Sequence, residues 1–276
     1  VFYLNGVPVK LNGTNSHMQH PTLGHTMNEE TIIKDFNLFK QYNINCIRTS
    51  HYPPVSRYLE LADEYGLYIV DETGDECHAT QYLSEKTEWE EMYRERARKM
   101  VLRDRNHPSV LFWSAGNESG EGQNICNVIN EGRKYDATRY WMYGGNAFTQ
   151  PCEEIIGPRY PHLFDLITNV FLVPEMEDPR PSFMDEYQAV TGNAGGGLDD
   201  YWEAIYNHPR SMGGAIWDFV STGLTEKVRS VKDSSGNNIQ VNLMGRAKLV
   251  PGVTGKGIDL NGHDQWVEVY RDKALE

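Results

Sequence analysis

Ile44-Asn45-Cys46-Ile47-Arg48-Thr49, the stretch Ser56–Tyr65 that stops at Gly66, and Leu67-Tyr68-Ile69-Val70-Asp71 together decide the fold class. The first and last are short β-branched apolar runs of strand length. Between them lies a helix-length segment, and Gly66 suits the left-handed residue that follows a helix. Strand, helix, strand within about thirty residues is the unit that lays two strands side by side and parallel.

Outward from this unit the same rhythm repeats. Residues 9–14 read as a strand. Asn28 then caps a helix with Glu29 and Glu30 in its first turn and Ile32, Ile33, Phe36, Phe39 and Tyr42 near helical spacing. Downstream, the pattern predicts a charged helix over 88–103, a strand over 110–115, a helix over 123–135 and a strand over 140–144. Residues 155–157, 182–185 and 215–219 read as further strands, with a helix over 198–207. Strands alternating with helices imply a parallel sheet, and eight such units in roughly 220 residues imply a closed (β/α)8 TIM barrel over residues 1–222. No G-x-G-x-x-G follows the first strand to favour an open doubly wound sheet. Residues 223–276 break the rhythm: they open into polar turn chemistry (Lys232 to Asn238) and read as a short β-prone extension.

Composition narrows the function. With a formal charge of −13 the surface repels phosphate backbones, so nucleic acid is not an expected partner. No apolar run reaches membrane-spanning length. The first residues carry no signal-peptide pattern and say nothing of compartment. Cys46, Cys77, Cys126 and Cys152 are far apart with no C-x-x-C pair, which favours buried free thiols over a disulfide framework or a structural zinc site.

Barrel enzymes carry their chemistry at the C-terminal ends of the strands. The residues expected there are His17, Arg48 with His51, Asp71 and Glu72 with Glu76 and His78, Asn117 with Glu118, Tyr160, Glu186 with Tyr187, and Trp217 with Asp218. Carboxylates dominate, while no G-x-S-x-G elbow or glycine-rich phosphate loop is present. Two glutamates on different strands suit glycoside hydrolysis, in which one protonates the leaving oxygen and the other attacks the anomeric carbon. A lone glutamate is most often a surface ion-pair partner. A carboxylate directly after an apolar strand, such as Glu118 or Glu186, is expensive unless it works or is paired. Trp217 offers an apolar platform of the kind a sugar ring packs on, whereas His17 and His51 fit a subsite or the core equally well.

Ser114-Ala115-Gly116-Asn117-Glu118-Ser119-Gly120 resembles the acid/base signature of glycoside hydrolase family 2, the family of the bacterial β-galactosidases. Arg103 to Val110, Asp185-Glu186-Tyr187, Gly213 to Asp218 and Leu4 to Pro8 resemble other segments of that family, in order, over roughly residues 1–222. The resemblance implies retaining hydrolysis of terminal β-D-galactosyl residues, with Glu118 as acid/base and Glu186 as nucleophile. It implies further that Asn117 meets the sugar 2-hydroxyl, that Arg48 and Tyr160 orient Glu186, and that His17, His51 and Trp217 line the sugar. Glu76, His78 and Glu118 match the segment that coordinates Mg²⁺ in these enzymes, and oxygen-rich ligation suits that hard cation. The alternative for these three residues is a solvated acidic loop.

Three departures qualify the match. Ala189 stands three residues after Glu186, where the family's galactosidases usually carry a histidine near the sugar 6-hydroxyl. A β-glucuronidase, β-mannosidase or modified-galactoside hydrolase therefore remains an alternative, as does a carbohydrate-binding pseudoenzyme, or a metal-dependent hydrolase built on Glu76, His78 and Glu118. The family's usual loop after the eighth strand is not visible. Instead, Gly252 to Gly262 and Trp266 to Val269 resemble the truncated start of a laminin-G-like β-sandwich. That implies further domains in a longer parent chain, and export from the cell.

Overall fold

The computed structural model describes residues 1–145, 151–192, 194–220, 222–225, 228–234, 236–270 and 272–275. The chain divides into two compact units, Val1–Gly223 and Leu224–Glu276.

The first unit opens with a small hairpin of β1 (Tyr3–Leu4) and β2 (Val7–Pro8). The barrel follows: β3 (Leu11–Asn15), α1 (Glu29–Gln41), β4 (Cys46–Arg48), α2 (Ser56–Tyr65), β5 (Tyr68–Glu72), α3 (Glu90–Asp104), β6 (Val110–Asn117), α4 (Gln123–Arg133) and β7 (Trp141–Gly144). A four-residue α5 (Leu163–Leu166), β8 (Ser182–Tyr187), α6 (Leu198–Asn207) and β9 (Ser211–Ile216) complete it. The order around the sheet is β7-β6-β5-β4-β3-β9-β8, and every pairing is parallel.

Seven regular strands leave one stave to account for. Residues 154–160 fill the gap between β7 and β8. The Glu154 amide donates to Trp141 O (2.9 Å), that of Ile156 to Pro181 O (2.9 Å), that of Phe183 to Ile156 O (2.9 Å) and that of Tyr160 to Glu186 O (3.0 Å). The strand expected over 155–157 is thus a line of isolated bridges. Pro158 explains the break, because it has no N–H to give to a ladder.

Side-chain alternation fills the barrel. Leu11, Cys46, Val70, Phe112, Met142, Ile155, Phe183 and Met212 form one buried cluster, with one residue from each of the eight staves. A second cluster, built on Ile32, Phe36, Phe39, Ile47, Leu59, Ile69, Trp113 and Trp141, binds α1 to α4 to the outside of the sheet. Two helix ends form as their residues dictate. The Asn28 side chain accepts from the Thr31 amide, and Gly66 closes α2 at φ 61° in the left-handed region. Tyr42 differs: it falls at the C-cap of α1 and is exposed. The last strand also begins earlier than expected, at Ser211 instead of 215, because Gly213 and Gly214 act as strand residues pressed against β3 and β8 and not as a turn.

The cysteine reading needs correction. Cys126 on α4 and Cys152 form a disulfide with a Cα–Cα distance of 5.6 Å, whereas Cys46 and Cys77 are free. The 26-residue separation carries no motif; the fold sets Cys152 beside α4 and so brings the two sulfurs together.

The second unit is antiparallel. β10 (Arg229–Val231), β11 (Val241–Met244) and β14 (Trp266–Val269) form one sheet, and β12 (Lys248–Pro251) pairs with β13 (Lys256–Asp259) in a hairpin. Its described core is small, with Ile239, Leu243 and Ala247 buried.

Candidate active site

One step above the apolar plug, the inward positions turn polar. Strand side chains repeat every two residues. Arg48, Glu72, Ser114 and Asp185 therefore follow Cys46, Val70, Phe112 and Phe183 into the barrel mouth. Arg48, fully buried, meets Glu72 Oε2 at 2.6 Å, Glu186 Oε1 at 2.8 Å, and Asn15 Oδ1 and Asn117 Oδ1 at 2.9 Å. A buried guanidinium is costly unless its N–H groups are satisfied, and four strands converge to satisfy this one. Gly144 is part of the arrangement: a Cβ there would lie 2.6 Å from Arg48 Nη2 and 2.7 Å from both Arg159 Nη2 and Asp185 Oδ2.

Both glutamates of interest lie at an irregularity of strand pairing, Glu118 just past one and Glu186 within one. The β6–β7 register shifts between Ser114 and Asn117, and the β8–β9 register between Met184 and Tyr187. Such shifts re-aim side chains at barrel rims. Glu118 (φ 42°) and Tyr160 (φ 42°) hold left-handed backbone, which costs a non-glycine residue and concentrates at functional sites. The Glu118 amide is anchored on Gly144 O at 2.7 Å.

Arg159 joins the two carboxylates. Its Nη1 lies 2.8 Å from Glu118 Oε1 and its Nη2 3.2 Å from Glu186 Oε1, while the same guanidinium also pairs with Asp185. Tyr160 donates to Glu186 Oε2 at 2.7 Å. Glu186 is almost buried, whereas the Glu118 side chain is 33 % exposed and faces an open cleft of about 700 Å³ lined also by Gln81, Tyr82, Glu85, Glu121 and Tyr143. Burial raises the Glu118 pKa, but Arg159, then His78 and His51, outweigh it and hold the carboxyl below its usual range. Burial works on Asp185 in the same direction and prevails there over Arg159 and Arg48, so its pKa is raised.

On the other side of Glu186, His51 stacks on Trp217 (5.1 Å, 12°) and donates from Nδ1 to Glu72 Oε1 at 2.8 Å. His17 meets both rings edge-on at 5.4 Å. Its pKa falls to about 4 through burial, with His51, His25 and Arg48 adding to the effect. Every residue given a role from the sequence thus lies at this mouth. Asp71 and Tyr187 do not join it; they turn to Thr49 and to Trp202 of α6. Arg159, Asn15 and Asp185 are additions. Two of them carried a legible signal, an amide or carboxylate two or four residues past an inward apolar side chain; Arg159 had only its place beside Tyr160.

Asn117 is already engaged, donating to Glu76 Oε2 at 2.6 Å and accepting from Arg48 and from Arg159 (2.6 Å). Its amide has two N–H bonds, which leaves one to give. Glu76, His78 and Glu118 do come together, with His78 Nε2 at 3.1 Å from Glu76 Oε1 and in contact with Glu118 Oε2. The carboxylate oxygens suit a hard cation, and the imidazole nitrogen pairs directly with both carboxylates. Among the described residues no group of three or more His, Cys, Asp or Glu has donors arranged to hold a metal.

Residues 1–240 match the family model for glycosyl hydrolases family 2, TIM barrel domain. The chain belongs to this family. Among curated relatives, it is 41 % identical over 235 residues to a β-galactosidase of Vibrio vulnificus, covering 81 % of this chain and 23 % of that protein. It is 38 % identical over 235 residues to a β-galactosidase of Photobacterium profundum, again covering 81 % of this chain and 23 % of the relative. Among solved structures, the β-glucuronidase of Ruminococcus gnavus superposes with a TM-score of 0.69 at 24 % identity over 82 % of this chain and 46 % of that one. At that identity the likeness speaks for the fold alone. The family 2 barrel spans about a quarter of the length of these curated relatives.

Proposed function

We propose that this family 2 barrel carries the reaction centre of a retaining β-galactosidase in a longer parent protein, with Glu186 as nucleophile and Glu118 as acid/base. The observation that carries the reading is the pair of carboxylates clamped by one guanidinium: Glu186, buried and held by Arg48, Tyr160 and Arg159, and Glu118, open to the cleft. In the first step the Glu186 oxygen attacks the anomeric carbon while Glu118 gives its proton to the departing glycosidic oxygen. Esterification removes the negative charge of Glu186, so Arg159 bears more fully on Glu118. The carboxylate form of Glu118, already favoured by Arg159, is favoured further for the second step, in which it takes a proton from water attacking the glycosyl–enzyme bond. The spare N–H of Asn117 suits the 2-hydroxyl, and His17, His51 and Trp217 form the wall on which the galactosyl ring lies.

Hydrolysis of a uronide would call for a cation at the sugar C6. Arg48 and Arg159 are both committed to carboxylates, which favours a neutral sugar. Glu76, His78 and Glu118 are the residues that would hold Mg²⁺. Its charge would favour ionised Glu118 and so tune proton donation.

The test uses Glu118→Ala and Glu186→Ala in the full-length protein. Glu118→Ala should slow galactosides with poor leaving groups by about 10²–10⁴ and activated aryl galactosides far less. Azide should then rescue it as a β-galactosyl azide of retained configuration. If Glu186→Ala yields that same retained product, the two roles are reversed.

A further inference from the structure

The His17 ring is held from behind by a second group of residues. Tyr52 Oη lies 3.3 Å from His17 Nδ1 and 3.2 Å from His25 Nδ1, and it accepts the Met18 amide at 3.1 Å. His25 Nδ1 also lies 3.0 Å from the Met18 carbonyl oxygen. Hydrogen counting settles these contacts. A carbonyl oxygen can only accept, so the hydrogen between His25 and Met18 belongs to His25 Nδ1. With that nitrogen protonated, and with the Met18 N–H directed at its oxygen, Tyr52 has one acceptor left for its own hydroxyl hydrogen. That acceptor is His17 Nδ1.

We propose that Tyr52 is a positioning residue that fixes His17 in its Nε2–H tautomer, so that His17 presents a hydrogen-bond donor to the sugar. This rests on the galactosidase reading for the identity of the ligand, though not for the tautomer itself. Nε2 is the His17 ring nitrogen that Tyr52 does not hold, and the ring packs edge-on with His51 and Trp217. Burial keeps the ring neutral near pH 7, so a single hydrogen is shared between its two nitrogens and its placement matters. His51 donates from Nδ1 to Glu72 Oε1, and its Nε2 lies 3.9 Å from Glu186 Oε1. A glycone hydroxyl beside His17 would accept the His17 hydrogen. His17 then recognises that hydroxyl as an acceptor as well as by its position. A fluorine, which only accepts, keeps the His17 contact, and a hydrogen loses it.

The experiment has two arms. Solid-state ¹⁵N spectra of histidine-labelled protein at neutral pH, assigned by comparison with His17→Ala, should show His17 protonated at Nε2 and, in Tyr52→Phe, a mixture of tautomers. In kinetics of the full-length protein on aryl galactosides, Tyr52→Phe should raise KM roughly tenfold with kcat little changed, since a contact made equally in the ground and transition states is lost. The tolerance of one monofluoro galactoside over the matching monodeoxy sugar should vanish with it. In a His17→Ala background, Tyr52→Phe should add nothing. An Nδ1–H resonance for His17 in the unaltered protein, or effects that add across the double mutant, would overturn the proposal. A protein that hydrolyses no galactoside would remove the proposed reaction and leave the ¹⁵N result to decide the tautomer.

Discussion

Replacing Arg159 by methionine should move the alkaline limb of the kcat/KM profile to higher pH by about one unit. Arg159 is the leading influence holding the Glu118 carboxyl down, against a burial effect that pushes it up. Unit charges about 4 Å apart interact by roughly 4 kcal/mol at the effective dielectric of a protein surface. The Glu118 side chain is partly exposed, and a solvent-screened pair keeps only a fraction of that, on the order of 1 kcal/mol, which is just under one pKa unit. Without the guanidinium, burial prevails and Glu118 stays protonated to higher pH, so the limb that reports loss of the acid moves up. The assay is kcat/KM for an aryl β-galactoside from about pH 3 to about pH 8, low enough to include a limb set by a carboxyl held below its usual range. Arg159→Lys is the charge-keeping control and should shift less. The methionine variant also strips a partner from Asp185 and Glu186, so folding should weaken by about 3–5 kcal/mol and must be checked by circular dichroism. A folded methionine variant with an unmoved alkaline limb would refute the claim that Arg159 sets the proton affinity of Glu118.

Three more outcomes are open to measurement. Glu153 is buried, and burial pushes its pKa to about 9 against the pull of Arg180. A raised carboxyl favours the fold fully below its unfolded pKa and costs stability as pH rises towards 9, so Glu153→Gln should stabilise by about 2–4 kcal/mol at about pH 8 and little at about pH 4; equal gains at both would contradict this. Reducing the Cys126–Cys152 disulfide, which spans 26 residues, should cost about 3 kcal/mol and lower Tm by roughly 6–12 °C, and a melt unchanged by reductant would show that the bridge carries no stability. Magnesium should raise turnover of the full-length protein, with Glu76→Gln abolishing the response; a variant that still responds would return Glu76 and His78 to the status of a solvated acidic loop.

Much of this protein is legible along the chain because the physics involved is local. Helix ends at Asn28 and Gly66 follow from a side-chain cap and a left-handed glycine. The alternation of apolar runs with helix-length segments implies a barrel, and the barrel in turn places Glu118, Glu186, Arg48 and Trp217 at one mouth. Even the polar layer of Arg48, Glu72 and Asp185 can be counted out two residues beyond an inward apolar side chain.

Other features arise only when staves far apart in sequence become neighbours. Nothing near Arg159 announces that it will touch both Glu118 and Glu186, because the contact joins three strands and needs the space left by Gly144. The Cys126–Cys152 bond, the broken eighth stave at Pro158 and the engagement of Asn117 by two arginines are of the same kind. So is the placement of the hydrogen on His17, which depends on a Tyr52 hydroxyl 35 residues away. Sequence alone determined the periodic and terminal features, since these depend on a residue and its near neighbours. Tertiary structure decided the proton and charge states of the site, since these depend on which groups closure of the barrel brings within hydrogen-bond reach.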